Sequence, residues 1–200
     1  MSFRGAIFDL DGTVVENAYD WPRIKAELGV EGLSILDYLG GLEEPERSRK
    51  WAVLERHETE QTEGSALREG VRELLAWLAA RGIATALVTN NSCRNTEYLL
   101  HKFDLRFDCV ITRESGLWKP SGAPLREAME RMDVRPEECL AVGDTRFDIL
   151  AAVDAGLGAI FILSESPEAF AGFPVEVLPD MRALEGRLEA LLAAEEGEGG

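Results

Sequence analysis

The sequence predicts an α/β fold: a mostly parallel sheet covered by helices on both faces, with a small helical insert near its start. Two observations predict it. Short, continuously apolar runs alternate with segments whose apolar residues recur at helical spacing. One stretch, residues 17–64, departs from that alternation, being rich in charge and poor in β-branched residues.

The elements follow in order. Phe3 to Phe8 is a short apolar run, a candidate buried strand, closed by the turn-forming sequence Asp9-Leu10-Asp11-Gly12-Thr13. Residues 17–64 read as the helical insert, with Ile24, Leu28, Trp51 and Leu54 at partial helical spacing and breaks at Gly40-Gly41 and Pro45. Val71, Leu74, Leu75 and Leu78 then form an amphipathic stripe, stopped at Gly82. Ile83 to Val88 is the second strand, and Ser92 is placed to cap a helix running to about Phe103. Cys109 to Ile111 makes a third strand, and Leu125, Ala128, Met129 and Met132 a helix with Pro124 near its start. Leu140 to Val142 is a strand ended by Gly143-Asp144, and the helix after it stops at Gly156. Ala159 to Leu163 is a further strand, and Val175 to Val177 an edge strand. Asp180 caps a last helix carrying Met181, Leu184, Leu188 and Leu191, expected to fray after about Ala194. The expected division is a core of residues 1–16 and 65–200 around the insert at 17–64.

Composition narrows the partners. Two hundred residues with 46% hydrophobic content suit a globular domain with a sizeable core. A formal net charge of -16 opposes nucleic acid and anionic membranes as main partners. An anionic small molecule then requires a local positive centre, which a metal ion and a placed lysine supply. Cys93, Cys109 and Cys139 are widely spaced and odd in number, as expected of reduced thiols. No apolar run approaches the ~20 residues of a membrane span, and Asp9 interrupts the N-terminal apolar stretch too early for a signal peptide. A cytoplasmic protein is expected. Oligomeric state stays open.

In an open parallel sheet, ligands bind beyond the carboxyl ends of the strands. Asp9 and Asp11 follow the first strand, Thr89-Asn90 the second and Asp144 the fourth, with Asp148 four residues on; Lys119-Pro120 lies in the loop past the third. Clustered carboxylates need protons or a cation to neutralise them. Oxygen-only donors suit Mg²⁺. At a spacing of two, Asp9 and Asp11 point to the same side of an extended segment. One can attack phosphorus while the other carries the proton. Lys119 offers a fixed positive charge to a transferring group. Thr89, together with main-chain N–H groups around Asn90 at the start of the next helix, can bond phosphoryl oxygens.

Taken together, these residues resemble the haloacid dehalogenase-like (HAD) superfamily. Asp9-Leu10-Asp11-Gly12-Thr13 is similar to its first motif, Thr89 after Ala86-Leu87-Val88 to its second, Lys119-Pro120 to its third, and Gly143-Asp144-Thr145 with Asp148 to its fourth. The resemblance runs from Phe3 to about Phe161, omitting the insert. It implies a Rossmann-like core and Mg²⁺ held by the Asp9 carboxylate, the Asp11 main-chain carbonyl and Asp144, with Asp148 as ligand or water-mediated partner. It also implies Asp9 as nucleophile and Asp11 as general acid/base in a phosphohydrolase acting on small phosphate monoesters. The insert sits where the family carries a helical cap, and resembles that of the phosphoglycolate phosphatase and β-phosphoglucomutase branch.

Other readings stay open from sequence. A sugar-phosphate mutase needs a well-closing cap, against which the short insert leans. A haloacid dehalogenase of this family needs no Mg²⁺ site, and an inactive binding module on the same fold would not need the acids. His57, in a polar run, reads as part of a solvated helix face, and His101 matches no ligand spacing. The basic residues of the insert read as surface partners of Glu27, Glu46 and Glu55. Trp21, Trp51 and Trp118 read as packing residues.

Overall fold

The computed structural model of the protein describes residues 3–16, 19–32 and 34–198. The chain divides into two compact units, one of residues 1–16 and 67–200 and the other of residues 17–66.

The larger unit is built on a parallel sheet. Its described strands are β1 (Gly5–Phe8), β2 (Ala84–Val88), β3 (Cys109–Ile111), β4 (Cys139–Gly143), β5 (Ala159–Leu163) and β6 (Glu176–Leu178). They pair in the order β3-β2-β1-β4-β5-β6, every pair parallel. This is the Rossmann-like order, which reverses direction beside β1. Phe8 stands opposite Leu87 on one side and Val142 on the other, so β2 and β4 each end one residue beyond β1.

Side chains alternate across the sheet and build two cores. Ala6, Phe8, Leu87, Leu140, Val142, Phe161 and Leu163 join one of them. There they pack with α4 (Val71–Ala80), α5 (Cys93–Lys102) and α8 (Met181–Glu198) through Val71, Leu74, Leu78, Leu99, Met181, Leu184 and Leu188. Ile7, Ala86, Val88, Ala141 and Ile160 join the other, against α6 (Ala123–Met132) and α7 (Arg146–Ala155). Leu87 and Leu140 are wholly buried, and each such leucine contributes about 1.5–3 kcal/mol.

The helix boundaries follow their caps. Ser92 Oγ accepts from Asn95 N at 3.2 Å, and Asp180 Oδ1 accepts from Ala183 N at 2.8 Å. Gly156 ends α7 in the left-handed conformation at φ 78°. One boundary differs from expectation: α8 runs on through the Glu/Gly-rich segment to Glu198 instead of fraying near Ala194. Alanine and glutamate are good helix formers, and an isolated glycine costs only about 1 kcal/mol.

The smaller unit is helical: α1 (Trp21–Leu28), α2 (Ile35–Gly40) and α3 (Glu46–Gly64). Its core includes Ile24, Leu28, Leu39 and Leu54. The expectation for His57 is corrected. It is buried in this unit, with Nε2 2.7 Å from Glu27 Oε2. Charge along α3 suggested solvent, but His57 lies on its inward side and meets a partner thirty residues earlier in the chain, on α1. Arg56 pairs with the same glutamate at the surface, while Lys50 lies 3.8 Å from Glu46. Trp21 stacks on Tyr19 with ring centroids 4.6 Å apart.

Candidate active site

The three central strands deliver their following residues to the same edge. Asp9 is the residue after β1, Asp144 the residue after β4, and Thr89 the residue after β2. Lys119 comes from the loop before α6, and Asp148 from the first turn of α7.

Two glycines make the assembly possible. Gly12 adopts φ +85°, and a Cβ there would stand 2.0 Å from Asp144 Oδ2. The turn it makes is closed by Gly12 N donating to Val15 O at 2.8 Å and Val14 N to Leu10 O at 2.9 Å. Arg68 also donates a side-chain N–H to the Gly12 carbonyl. A Cβ at Gly143 would lie 2.4 Å from Asp148 Cβ. Any larger residue at either position would push an aspartate out of the cluster.

Asp9, Asp144 and Asp148 each offer a carboxylate oxygen, all within 4.8 Å of one another. Lys119 Nζ donates to Asp9 Oδ1 at 2.5 Å and to Asp148 Oδ1 at 2.6 Å. Asp148 is further held through Oδ2, which accepts from Thr145 Oγ1 at 2.6 Å, Thr145 N at 3.0 Å and Asp144 N at 3.3 Å. Asp144 is different: its Oδ1 is buried and has no hydrogen-bond partner among the described residues. A buried, unpaired carboxylate oxygen is costly.

The charges do not balance. Burial pushes Asp144 up to about 8, helped by the neighbouring charges of Asp9 and Asp148. Burial also pushes Asp9 up to about 7, Lys119 pulling it down while Asp148 and Asp11 add to the rise. Asp148 moves the other way. Burial disfavours its charge, but the Lys119 ammonium and the donors around it hold it below the usual range. Burial likewise opposes charge on Lys119, and the two aspartates overcome it. One lysine faces three carboxylates, and an added cation would remove the excess. The all-oxygen donors and the orphaned Asp144 Oδ1 fit a hard divalent ion.

The loop after β2 supports this edge. Thr89 is buried, and its Oγ1 accepts from Asn91 N at 3.0 Å. Asn90, expected beside a phosphoryl group, uses its side chain on the Lys119 backbone: Nδ2 donates to Lys119 O at 2.9 Å, and Oδ1 accepts from Lys119 N at 2.8 Å. Asn91 Nδ2 donates to Asp11 Oδ2 at 3.0 Å. Thus Asp9, Asp144, Asp148 and Lys119 converge directly, while Asp11, Thr89 and Asn90 join them through the flanking loops.

Sequence reasoning gave no supporting role to three residues. Thr145, three before Asp148, matches the helix-start pattern of a hydroxyl followed by an acid, which could have found it. Asn91 and Arg68 carry no such local signal.

An all-parallel sheet of this order, with an acid and lysine cluster at its carboxyl edge, defines a Rossmann-like α/β protein. The chain belongs to the haloacid dehalogenase-like hydrolase family, whose sequence pattern matches residues 19–162, well over half of it. That match begins beyond the first acidic loop, so Asp9 and Asp11 stand outside it. The chain is similar to a haloacid dehalogenase-like hydrolase domain-containing protein of Arabidopsis thaliana, 26% identical, the match covering 74% of this chain and 65% of that protein. It is also similar to the phosphoglycolate phosphatase of Pectobacterium atrosepticum, 31% identical over 80% of each chain. Among solved structures it resembles CbbY of Rhodobacter sphaeroides in complex with phosphate, at 25% identity and a TM-score of 0.65, covering 90% of this chain and 95% of that one.

Proposed function

We propose that this hydrolase is a Mg²⁺-dependent phosphatase that cleaves small phosphate monoesters through a phosphorylated Asp9. The observation that carries this is the Asp9–Lys119–Asp148 bridge standing beside Asp144, whose buried Oδ1 lacks a partner among the described residues. The relatives named as phosphoglycolate phosphatases support the same reading.

Asp9 and Asp144 would hold Mg²⁺ together with the Asp11 main-chain carbonyl. Asp148, whose oxygens already accept from Lys119 and Thr145, would act through water. The ion, when bound, neutralises the carboxylates and screens the incoming phosphate from the acidic chain.

The remaining chemistry belongs to the side chains. An Asp9 carboxylate oxygen attacks phosphorus, forming an acyl-phosphate bond as the bond from phosphorus to the ester oxygen breaks. Asp11 gives its proton to that departing oxygen, and an alcohol leaves. Water then attacks the phosphorus, Asp11 takes its proton, and inorganic phosphate departs with Asp9 restored. Lys119 favours the ionised form of Asp9 against its burial and faces the charge that builds on the phosphoryl oxygens. Thr89 and the main-chain N–H of Asn90 fix the phosphoryl group at the start of the following loop.

We assign the helical unit of residues 17–66 as the cap that selects the substrate's leaving group. The three cysteines are free, and no described helix is long and apolar enough to cross a membrane. A reducing cytoplasm suits both.

The test is turnover of p-nitrophenyl phosphate. Wild-type protein with Mg²⁺ should release p-nitrophenol and phosphate. EDTA, or Asp9→Asn, should abolish turnover. Activity that survives both would end the proposal. Isomerised hexose phosphate without free phosphate would point to a mutase instead.

A further inference from the structure

We propose that Asn91 is a positioning residue for proton transfer, fixing which oxygen of Asp11 carries the proton to the departing group. The proposal rests on the assignment of Asp11 as general acid.

Asn91 is buried and tied down on three sides. Its main-chain N donates to Thr89 Oγ1 at 3.0 Å. Its Oδ1 accepts from Ser92 N at 2.7 Å and from Asn95 Nδ2 at 3.3 Å. The Ser92 contact settles the orientation of the amide. A main-chain N–H can only donate, so the atom it meets is the carbonyl oxygen, and the atom facing Asp11 is the NH₂ group. That group donates to Asp11 Oδ2 at 3.0 Å.

The terminal torsion of an aspartate is broad and roughly two-fold. The donor from this locked amide therefore selects between its two orientations. An N–H donor is best met by the carbonyl-type oxygen of a carboxylic acid. With Oδ2 in that role, the proton of the acid form sits on Oδ1. Asn91 thereby sets the direction from which the proton is delivered, without touching substrate. Because Thr89 holds the Asn91 main chain, the residue assigned to the phosphoryl group and the residue aiming the proton belong to one short loop.

Leaving groups separate this role from a structural one. The ratio kcat/KM covers only the steps up to departure of the alcohol. A nitrophenolate departs without a proton, whereas an alkoxide needs one. Asn91→Ala should lower kcat/KM for alkyl phosphates about 100-fold, the scale of general acid catalysis, while p-nitrophenyl phosphate loses only about threefold. Asn91→Asp keeps acceptors for Ser92 N and Asn95 Nδ2 but removes the donor to Asp11. It should repeat the alkyl-selective loss, with circular dichroism establishing that it is folded. If Asn91→Asp restores wild-type turnover of alkyl phosphates, Asn91 merely shapes the loop and the proposal is overturned. Asp11→Asn separates the two levels of inference. An alkyl-selective loss in Asp11→Asn with none in Asn91→Ala would overturn the proposal alone. A uniform loss in Asp11→Asn would remove the general-acid assignment and the proposal with it.

Discussion

Lys119 Nζ lies 2.5 Å from Asp9 Oδ1, closing a buried ion pair between residues 110 positions apart. The same ammonium reaches Asp148 at 2.6 Å, so one cation organises two acids. Truncating one partner of a buried pair costs about 3–5 kcal/mol, because the other charge is stranded. Lys119→Met should destabilise the fold by that order in urea unfolding, and lower kcat about 10²–10³-fold through lost charge stabilisation. Lys119→Arg should not restore activity, since a planar guanidinium cannot replace a compact ammonium between two carboxylates.

Stability of the metal-free protein should fall as pH rises. Asp9 is held up to about 7 and Asp144 up to about 8, whereas an unfolded aspartate ionises at about 3.9. Between these values the folded chain binds more protons than the unfolded one, so stability declines with each step upward in pH. Above about 8 both states are ionised and the decline from these groups ends. In EDTA the melting temperature should therefore drop from about pH 5 to about pH 8. Mg²⁺ should recover it at the upper end, and Asp144→Asn should flatten the slope. A slope unaltered by Asp144→Asn would show that the acidic surface, not the site, drives the effect.

Thr145 should tune metal affinity without contacting the metal. Its hydroxyl donates to Asp148 Oδ2 at 2.6 Å, and a hydrogen bond to a charged group is worth about 1.5–3 kcal/mol. Thr145→Val keeps the shape and loses the donor. Calorimetric titration should find Mg²⁺ bound about 10-fold more weakly, and Thr145→Ser should recover most of the loss.

Gly12→Ala should fail for two reasons at once. The position has φ +85°, and the new methyl would fall 2.0 Å from Asp144 Oδ2. Left-handed backbone strain alone costs about 1–2 kcal/mol. Displacing Asp144 should cost much more in function, and Mg²⁺ binding should be lost in a protein whose far-ultraviolet circular dichroism is unchanged.

Most of the fold was legible because it is local. The apolar runs ending at Phe8 and Val142 read as strands, and the acids directly after them read as residues of one sheet edge. Ser92, Gly82 and Gly156 marked helix ends through chemistry confined to a turn. What stayed hidden depends on distant partners. The strand order cannot be read from the runs themselves. Nothing near Lys119 in sequence announces that it is buried between Asp9 and Asp148. His57 looked solvated because its partner, Glu27, lies on another helix. Asn91 and Arg68 drew no supporting role from the sequence because their partners, Asp11 and Gly12, are remote in the chain.

Capture of the phosphorylated enzyme tests the central claim most directly. Asp11→Asn, which slows removal of the phosphoryl group, is mixed with p-nitrophenyl phosphate and Mg²⁺, quenched in acid and digested for mass spectrometry. The peptide containing Asp9 should carry one added phosphoryl group, and the same peptide from Asp9→Asn should carry none. A phosphoryl group on a different residue, or turnover by the wild type with no phosphorylated peptide at any time, would contradict the account.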